Sequence, residues 1–326
     1  MMRTLLAPLS PGGARGRLSV LIFHRVHAVR DPLFPGEPDA EMFENQMTWV
    51  RDWFNVLPLA AAANALRTGR LPPRALSITF DDGYADNLSV AAPILKRLGL
   101  TATFFIATDF VDGGIMWNDQ VIEAVRRCQK PAVELDDLGL GTWPMGSMDE
   151  RRAAISGLLG RLKYLPPAER ADKVTAIVER IGAALPHDLM LTTAGLRAFA
   201  DHGMTIGAHT RSHPILARLG PVEAKAEIAE GRDWLESALR VPVRLFAYPN
   251  GRPGRDYGDL HVRFVRDLGF DAGFSTSRGA AAPGCDPFQI PRFTPWDRSP
   301  LRYGLRLARN LLQPPQFCGD GLAHAP

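Results

Sequence analysis

The sequence predicts an α/β fold, a distorted (β/α) barrel of about seven strands with a helical insertion. Short runs of β-branched and aromatic residues alternate with amphipathic segments along most of the 326 residues, which is typical of parallel strands joined by helices. No shift in composition divides these units, and one barrel domain can reach this length. Several predicted strands also end in polar side chains, as strands do where a barrel carries its active site.

Each predicted strand is a short apolar run bounded by turn or polar residues. The predicted strands cover residues 18–26, 75–82, 101–110, 204–210, 243–249, 270–276 and 289–293. Apolar residues at helical spacing predict helices over residues 39–54, 86–98, 223–239 and 259–269, and another that ends near Gly203. Acids in the first turn of the helix over 39–54, and Gly99 after the helix over 86–98, favour these ends.

The chain divides into a barrel and two flanking segments. Residues 1–17 are expected to form an N-terminal tail, and residues 18–297 the barrel. Residues 112–191 interrupt the strand–helix alternation and predict an insertion with helices around 119–128, 149–162 and 167–185. Residues 298–326 predict a basic amphipathic helix and a tail, with Arg302, Arg306 and Arg309 on one face. Such a helix can lie on an anionic membrane or can cap the barrel with solvated arginines.

Composition excludes several classes of protein. The net charge is +3 and no Lys/Arg run is present, which argues against a nucleic-acid partner. The sequence contains no stretch of about 18 uncharged apolar residues, the length that a helix needs to cross a bilayer. The N-terminus lacks the continuous apolar region of a secretory signal. We therefore expect a cytoplasmic location, at the inner membrane face if the basic helix contacts lipid.

Polar residues at the strand ends carry the chemistry. Asp81 and Asp82 directly follow an apolar strand, where two adjacent carboxylates repel each other unless a cation lies nearby. His209 and His213 form a His-x-x-x-His pair after a later strand. Together with Asp82 they would give three metal ligands and leave one coordination position open, as a catalytic site requires. Asp81 would remain available as a general base. Alone, an Asp-Asp-Gly sequence is more typical of a turn.

Three motifs carry a family resemblance that covers most of the chain. The sequences TFDDGY, GAHTRSHP and FAYPNG, in this order, resemble the polysaccharide deacetylase family, the NodB-homology group or carbohydrate esterase family 4. The resemblance implies a distorted barrel and a divalent metal, by default zinc, with cobalt, nickel or manganese as alternatives. It also implies removal of N-acetyl groups from an amino sugar of a polysaccharide, oligosaccharide or lipid-linked glycan precursor.

The resemblance assigns a role to each motif residue. Asp81 matches the catalytic base, and the metal ligands match Asp82, His209 and His213. The FAYPNG motif, with Pro249 and Asn250, matches the segment that lines the substrate groove. Within it, the backbone N–H of Tyr248 is expected to help hold the oxyanion.

The sequence departs from the common family pattern at two positions. Most members supply the general acid as a histidine from a late strand, where this chain has Arg292. His24, at the end of the first strand, resembles the members that deacetylate poly-N-acetylglucosamine with an N-terminal histidine, and we expect it to be the acid. The arginine that orients the base in many members is also replaced. Arg244, on the same strand face as Tyr248, is one candidate for that role, and Arg292 is another.

Two other functions stay open at this point. The same metal site could serve an O-acetyl esterase or a non-sugar amidase, since both reactions need the same attack on an acyl carbon. A catalytically silent glycan-binding module is a third interpretation, against which the presence of Asp81 argues.

Overall fold

The computed structural model describes residues 2–314. The strands are β1 (Leu18–Phe23), β2 (Asn55–Val56), β3 (Ala75–Phe80), β4 (Thr103–Ile106), β5 (Ala132–Leu135), β6 (Gly141–Pro144), β7 (Thr205–Ala208), β8 (Leu245–Ala247) and β9 (Ala272–Phe274). The helices are α1 (Met2–Leu6), α2 (Ala40–Trp53), α3 (Leu59–Arg67), α4 (Ala92–Arg97), α5 (Trp117–Arg127), α6 (Met148–Leu162), α7 (Pro167–Ile181), α8 (Thr193–Ala198), α9 (Pro221–Leu239), α10 (Asp259–Asp267) and α11 (Pro300–Leu312).

The main sheet is parallel throughout and curls into a distorted barrel. Its strands run in the order β1, β3, β4, β7, β8 and β9, and β2 pairs with β3 as the seventh strand. The predicted fold class is therefore confirmed. The predicted last strand, over 289–293, is wrong as a regular strand. Its residues make only isolated bridges, from Ile290 to Phe274 of β9 and from Phe293 to Leu21 of β1, because Pro291 has no N–H for a continuous ladder. These bridges connect the two edges of the sheet.

The barrel core explains why the strand sequences are near-continuous apolar runs. Every residue of β1 and of β3 is buried, as expected for parallel strands covered on both faces. A column of stacked aromatic rings crosses the sheet towards the helices, with centroid separations of 5.4 Å for Phe23–Phe80, 4.7 Å for Phe80–Phe104 and 4.2 Å for Phe104–Phe199. This packing fixes β1, β3 and β4 relative to one another, and with them the residues that follow these strands.

The insertion has a core of its own. Helices α5, α6 and α7 occupy the segments where the sequence predicts helices, and they bury Val125, Leu158 and Ile177 against one another. An antiparallel hairpin of β5 and β6 was not predicted. It turns through Gly139, whose φ of 70° favours glycine. The hairpin strands are only four residues long, too short for their alternation to be distinctive.

The first and last helices that the structure describes meet on the outside of the barrel. Residues 1–17, expected to be a tail, contain α1, which packs against α2 and α11. Leu6 is fully buried, and the side chain of Met2 lies against Gly304 of α11. The predicted C-terminal helix corresponds to α11, whereas residues 315–326 of the predicted tail lie outside the described residues. Over residues 2–314, no helix is both long and apolar enough to cross a membrane.

Candidate active site

The predicted metal ligands come together at the C-terminal edge of the sheet. Asp82 follows β3, His209 follows β7, and His213 lies in the loop after β7. The Oδ1 atom of Asp82 lies 3.4 Å from Nε2 of His209 and 3.3 Å from Nε2 of His213. The candidate ligand atoms all lie within 4.8 Å of one another, so one ion could reach all three.

The donor set fits a divalent cation. Oδ1 of Asp82 is buried and has no hydrogen-bond partner among residues 2–314, which is costly for a carboxylate oxygen unless a cation satisfies it. Nδ1 of His209 lies 2.7 Å from the carbonyl oxygen of Ala247. A ring N–H at Nδ1 donating to this carbonyl would leave the Nε2 lone pair directed at Asp82, an arrangement typical of metal-binding histidines.

The charges of these groups depend strongly on their burial. Burial lowers the pKa of His213 to about 4, so its imidazole is neutral at neutral pH and can act as a ligand. Burial alone would raise the pKa of Asp82, but the nearby imidazoles, first His213, hold it low and the carboxylate stays ionised. For His209, burial is outweighed by Asp81 and Asp82, and its pKa is raised. A metal would displace the proton that these carboxylates favour on His209.

Backbone strain is concentrated at this site. Four non-glycine residues here have positive φ, namely Asp82 (77°), Thr210 (66°), His213 (55°) and Asn250 (60°). Such conformations cost about 1–3 kcal/mol each and persist only where the surroundings enforce them. One local restraint is the hydroxyl of Thr210, which accepts a hydrogen bond of 3.1 Å from the backbone N–H of His213.

Glu227 of α9 anchors the histidine loop, a role that the sequence analysis missed. Its buried carboxylate accepts hydrogen bonds from the backbone N–H groups of Arg211 (3.1 Å) and Ser212 (2.8 Å). Gly231, one turn further along α9, lies so close to the backbone of Thr210 that a Cβ would be 2.6 Å from its carbonyl carbon. The signal was present in the sequence, because Glu227 falls on the apolar face of α9 between Ala224 and Ile228.

Arg292 holds Asp81. Two hydrogen bonds of 2.7 Å join its guanidinium to the two carboxylate oxygens, and Arg292 is only 1% exposed. It also donates to the hydroxyl of Thr79 and to the carbonyl of Ser275, each at 3.2 Å. Burial alone would raise the pKa of Asp81, but the Arg292 cation outweighs burial and the pKa is lowered. Asp81 is therefore an ionised carboxylate beside the candidate metal ligands.

Arg244, the other arginine considered for this position, does not contact Asp81. It precedes β8 at the opposite end of that strand, is exposed, and donates to the carbonyl oxygen of Gly269 at 3.2 Å. Strand parity, on which this candidate depended, ignores that only the C-terminal ends of the strands reach the site.

The N–H of Tyr248, expected to help hold the oxyanion, is engaged within the sheet. This N–H donates to the carbonyl oxygen of Phe274 at 3.1 Å and is occupied by the sheet. The side chain of Tyr248 is buried, stacks on Tyr257 at 3.8 Å and donates to the carbonyl of Phe288. Pro249 has no N–H. The N–H of Asn250, a residue that lines the same cavity as Asp81, makes no hydrogen bond with residues 2–314.

His24 lies at the mouth of the same cavity. It directly follows β1, is exposed, and lines the cavity together with Asp81, Asp82 and both ligand histidines. Its backbone carbonyl accepts a hydrogen bond of 2.8 Å from the side chain of Asn87, and the neighbouring Arg25 pairs with Asp86 at 2.8 Å. The backbone of His24 is therefore fixed, and its imidazole makes no hydrogen bond or ion pair with residues 2–314.

Two connected cavities open onto the site. The larger has a volume of about 1020 Å³ and contains the aspartates and histidines. The smaller, about 440 Å³, shares His24, Asp82 and His213 and extends towards Trp117 and Asp119 of the insertion. A site of this size can accept a ligand larger than a monosaccharide.

A distorted α/β barrel that gathers an ionised aspartate and an Asp-His-His cluster at its C-terminal edge has the arrangement of a barrel hydrolase. The comparison with known sequences specifies the family. The sequence model described as "Polysaccharide deacetylase" matches residues 68–138 and 170–273, more than half of the chain. The chain therefore belongs to the polysaccharide deacetylase family, which confirms the resemblance carried by the three motifs.

Relatives and solved structures agree with this assignment. The chain is 21% identical over 268 residues to the Bacillus subtilis protein YxkH, which bears a polysaccharide deacetylase designation, and the match covers 82% of this chain and 67% of YxkH. The fold is similar to that of Streptococcus pyogenes deacetylase PplD, with a TM-score of 0.60, 20% identity and coverage of 92% and 100% of the two chains. The fold is also similar to that of IcaB from Ammonifex degensii, with a TM-score of 0.58, 17% identity and coverage of 93% of this chain and 99% of IcaB.

Proposed function

We propose that the protein is a metal-dependent deacetylase that removes N-acetyl groups from an amino sugar of a polysaccharide, oligosaccharide or lipid-linked glycan precursor. The observation that carries the proposal is the buried, unpartnered Oδ1 of Asp82 facing two imidazoles beside the ionised Asp81. This arrangement supplies a place for a cation and a separate base. Family membership supports a glycan as the substrate.

Asp82, His209 and His213 would hold the metal. One oxygen and two nitrogen donors suit zinc, which we propose, and also cobalt, nickel or manganese. When bound, a divalent ion would polarise the acyl carbonyl and lower the pKa of a water molecule.

The chain's own residues perform the proton transfers in this proposal. Asp81, kept ionised and oriented by Arg292, accepts the proton of the attacking water. The free N–H of Asn250, rather than that of Tyr248, donates to the oxyanion that develops on the acyl oxygen. His24 then protonates the leaving amine, and its exposed position at the cavity mouth suits contact with the bulky sugar.

The surface of α11 supports action at a membrane. Leu301, Leu305 and Leu312 are 56%, 51% and 64% exposed, and arginines of the same helix flank them. An exposed apolar stripe beside basic residues favours peripheral contact with anionic lipid. We therefore include a lipid-linked glycan at the inner membrane face, and hence a cytoplasmic location, in the proposal.

A substrate screen tests the proposed reaction. Purified protein loaded with zinc is expected to release acetate and a primary amine in equal amounts from N-acetylhexosamine oligomers, because amide hydrolysis produces both. Acetate would be measured enzymatically and the amine with a fluorescent amine reagent, with fully deacetylated oligomers as the blank. Acetate from O-acetylated sugars alone would favour the esterase alternative, and release of neither product from any acetylated sugar would favour the silent binding module.

A further inference from the structure

The larger cavity has a strongly basic lining. Seven basic residues line it, namely Lys163, Arg252, Arg255, Arg278, Arg292, Arg306 and Arg309, against the two carboxylates of Asp81 and Asp82. Arg292 pairs with Asp81, and Arg306 pairs with Asp297. The other five make no ion pair with any residue of 2–314. The whole chain has a net charge of only +3, so positive charge is concentrated at this cavity.

Two of these cations, Lys163 and Arg255, are held close together near the insertion, with Arg218 beside them. Lys163 and Arg255 lie over the ring of Tyr164 at 5.7 Å and 4.7 Å from its centroid, and Arg218 lies over the same ring at 5.5 Å. The pKa of Lys163 is lowered, first by burial and then by Arg252 and Arg255, with only Asp256 opposing. The carboxylate of Asp256 is itself directed at the backbone, where it accepts from the N–H of Arg252 at 3.1 Å.

Mutual repulsion in such a cluster is relieved by a bound anion. Side chains of one sign that line a concave surface focus their field into it and attract a ligand of the opposite sign. Arginine pairs with phosphate oxygens through two parallel hydrogen bonds, which makes several arginines around one cavity a good match for a phosphoryl group. The cavity continues to the candidate metal ligands, so one molecule could occupy both places.

We propose that Lys163, Arg252 and Arg255, with Arg278 and Arg309 of the same cavity lining, form a subsite for a phosphoryl group on the amino-sugar substrate. This inference rests on the proposed function for the identity of the sugar. The phosphoryl group could belong to a lipid-linked sugar diphosphate, to a nucleotide-linked sugar or to a phosphorylated glycan. All three share the dianionic group that the basic residues recognise, and the experiment distinguishes them.

Direct binding tests the subsite independently of catalysis. Inorganic pyrophosphate is expected to bind the zinc-loaded protein in titration calorimetry, and R252Q/R255Q is expected to bind it about 10- to 100-fold more weakly, because two charge-assisted contacts are lost. The double variant R70Q/R263Q, which removes two exposed arginines outside the cavity, is expected to bind like the wild type. Equal affinity in the wild type and R252Q/R255Q would overturn the proposal, since any binding would then be to the metal alone.

Kinetics identify the source of the phosphoryl group. N-acetylglucosamine carrying an alkyl diphosphate, a uridine diphosphate or a terminal phosphate would be compared with the neutral oligomer. The preferred source is expected to have a KM about 10-fold or more below that of the neutral oligomer, a difference that disappears in R252Q/R255Q. Identical KM values for all four would overturn the proposal. If no sugar is deacetylated, the proposed function fails and the pyrophosphate titration still decides on the subsite.

Discussion

Replacement of Asp81 by asparagine is expected to lower kcat for N-deacetylation by about 10²–10⁴-fold while the bound metal is retained. Asparagine has the same shape but cannot accept the proton of the attacking water. Asp81 is not needed for coordination in this proposal, since the unpartnered oxygen that faces both imidazoles belongs to Asp82. The measurement is amine release from N-acetylhexosamine oligomers together with metal content by mass spectrometry.

The control for Asp81→Asn is Asp137→Asn. Asp137 is an exposed aspartate that pairs with Arg180 on the insertion at 2.9 Å, and its replacement is expected to leave turnover unchanged. Thermal unfolding of both variants checks that the fold is intact. Normal turnover by a folded, metal-loaded Asp81→Asn variant would contradict the assignment of Asp81 as the base.

The second large effect, on both stability and the pH dependence of activity, is expected from replacement of Arg292. Replacement by glutamine leaves the buried carboxylate of Asp81 without its cation, which typically destabilises a protein by about 3–5 kcal/mol. Loss of this cation removes the strongest factor that opposes burial, so the pKa of Asp81 is expected to be higher in the variant than in the wild type. Because the base must be ionised, the acidic limb of the pH profile of kcat/KM is expected to move to higher pH. Urea unfolding and the pH profile measure the two effects.

The pH dependence of stability gives this prediction a definite sign. In the wild type the folded-state pKa of Asp81 is lowered, so the stabilisation by Arg292 is present above the unfolded pKa, about 3.9, and is lost as the pH falls through the folded pKa. The stability difference between the wild type and Arg292→Gln should therefore shrink as the solution is acidified. If Arg292→Gln does not fold, Arg292→Lys, which keeps the charge but not the paired hydrogen bonds, is expected to give smaller shifts in the same directions. An unchanged acidic limb in a folded variant would exclude this role.

Much of the fold could be predicted because its signals are local. The buried strands β1 and β3 are near-continuous apolar runs of six residues, whereas helices α5 and α6 of the insertion are 11 and 15 residues long and mix apolar with charged residues. This reasoning from the sequence failed where a proline interrupts a segment and where a strand is too short to form a pattern. The segment over 289–293 was predicted as a strand although Pro291 interrupts its ladder, and β2, of two residues, gave no signal.

The candidate site, too, could be predicted only in part from the sequence. Asp81, Asp82, His209 and His213 were identified because motif and spacing are properties of the sequence, and the structure brings them together. The contact of Arg292 with Asp81 joins residues 211 positions apart, and no local pattern reveals it, although the place of Arg244 near the start of its predicted strand already argued against Arg244. The state of the Tyr248 N–H depends on pairing with Phe274 of the neighbouring strand, which only the three-dimensional structure reveals.

The most direct test of the central claim is the metal content of the purified protein after exhaustive dialysis against metal-free buffer. We expect about one equivalent of a divalent metal in the wild type and in Asp81→Asn, and a loss of metal in His213→Asn, because one of three ligands is removed. Asparagine tolerates the positive φ of this position, so the backbone should be kept. His187→Asn, at an exposed histidine outside the site, should bind metal normally. Equal metal content in His213→Asn and the wild type, or none in either after zinc loading, would contradict a metal site formed by Asp82, His209 and His213.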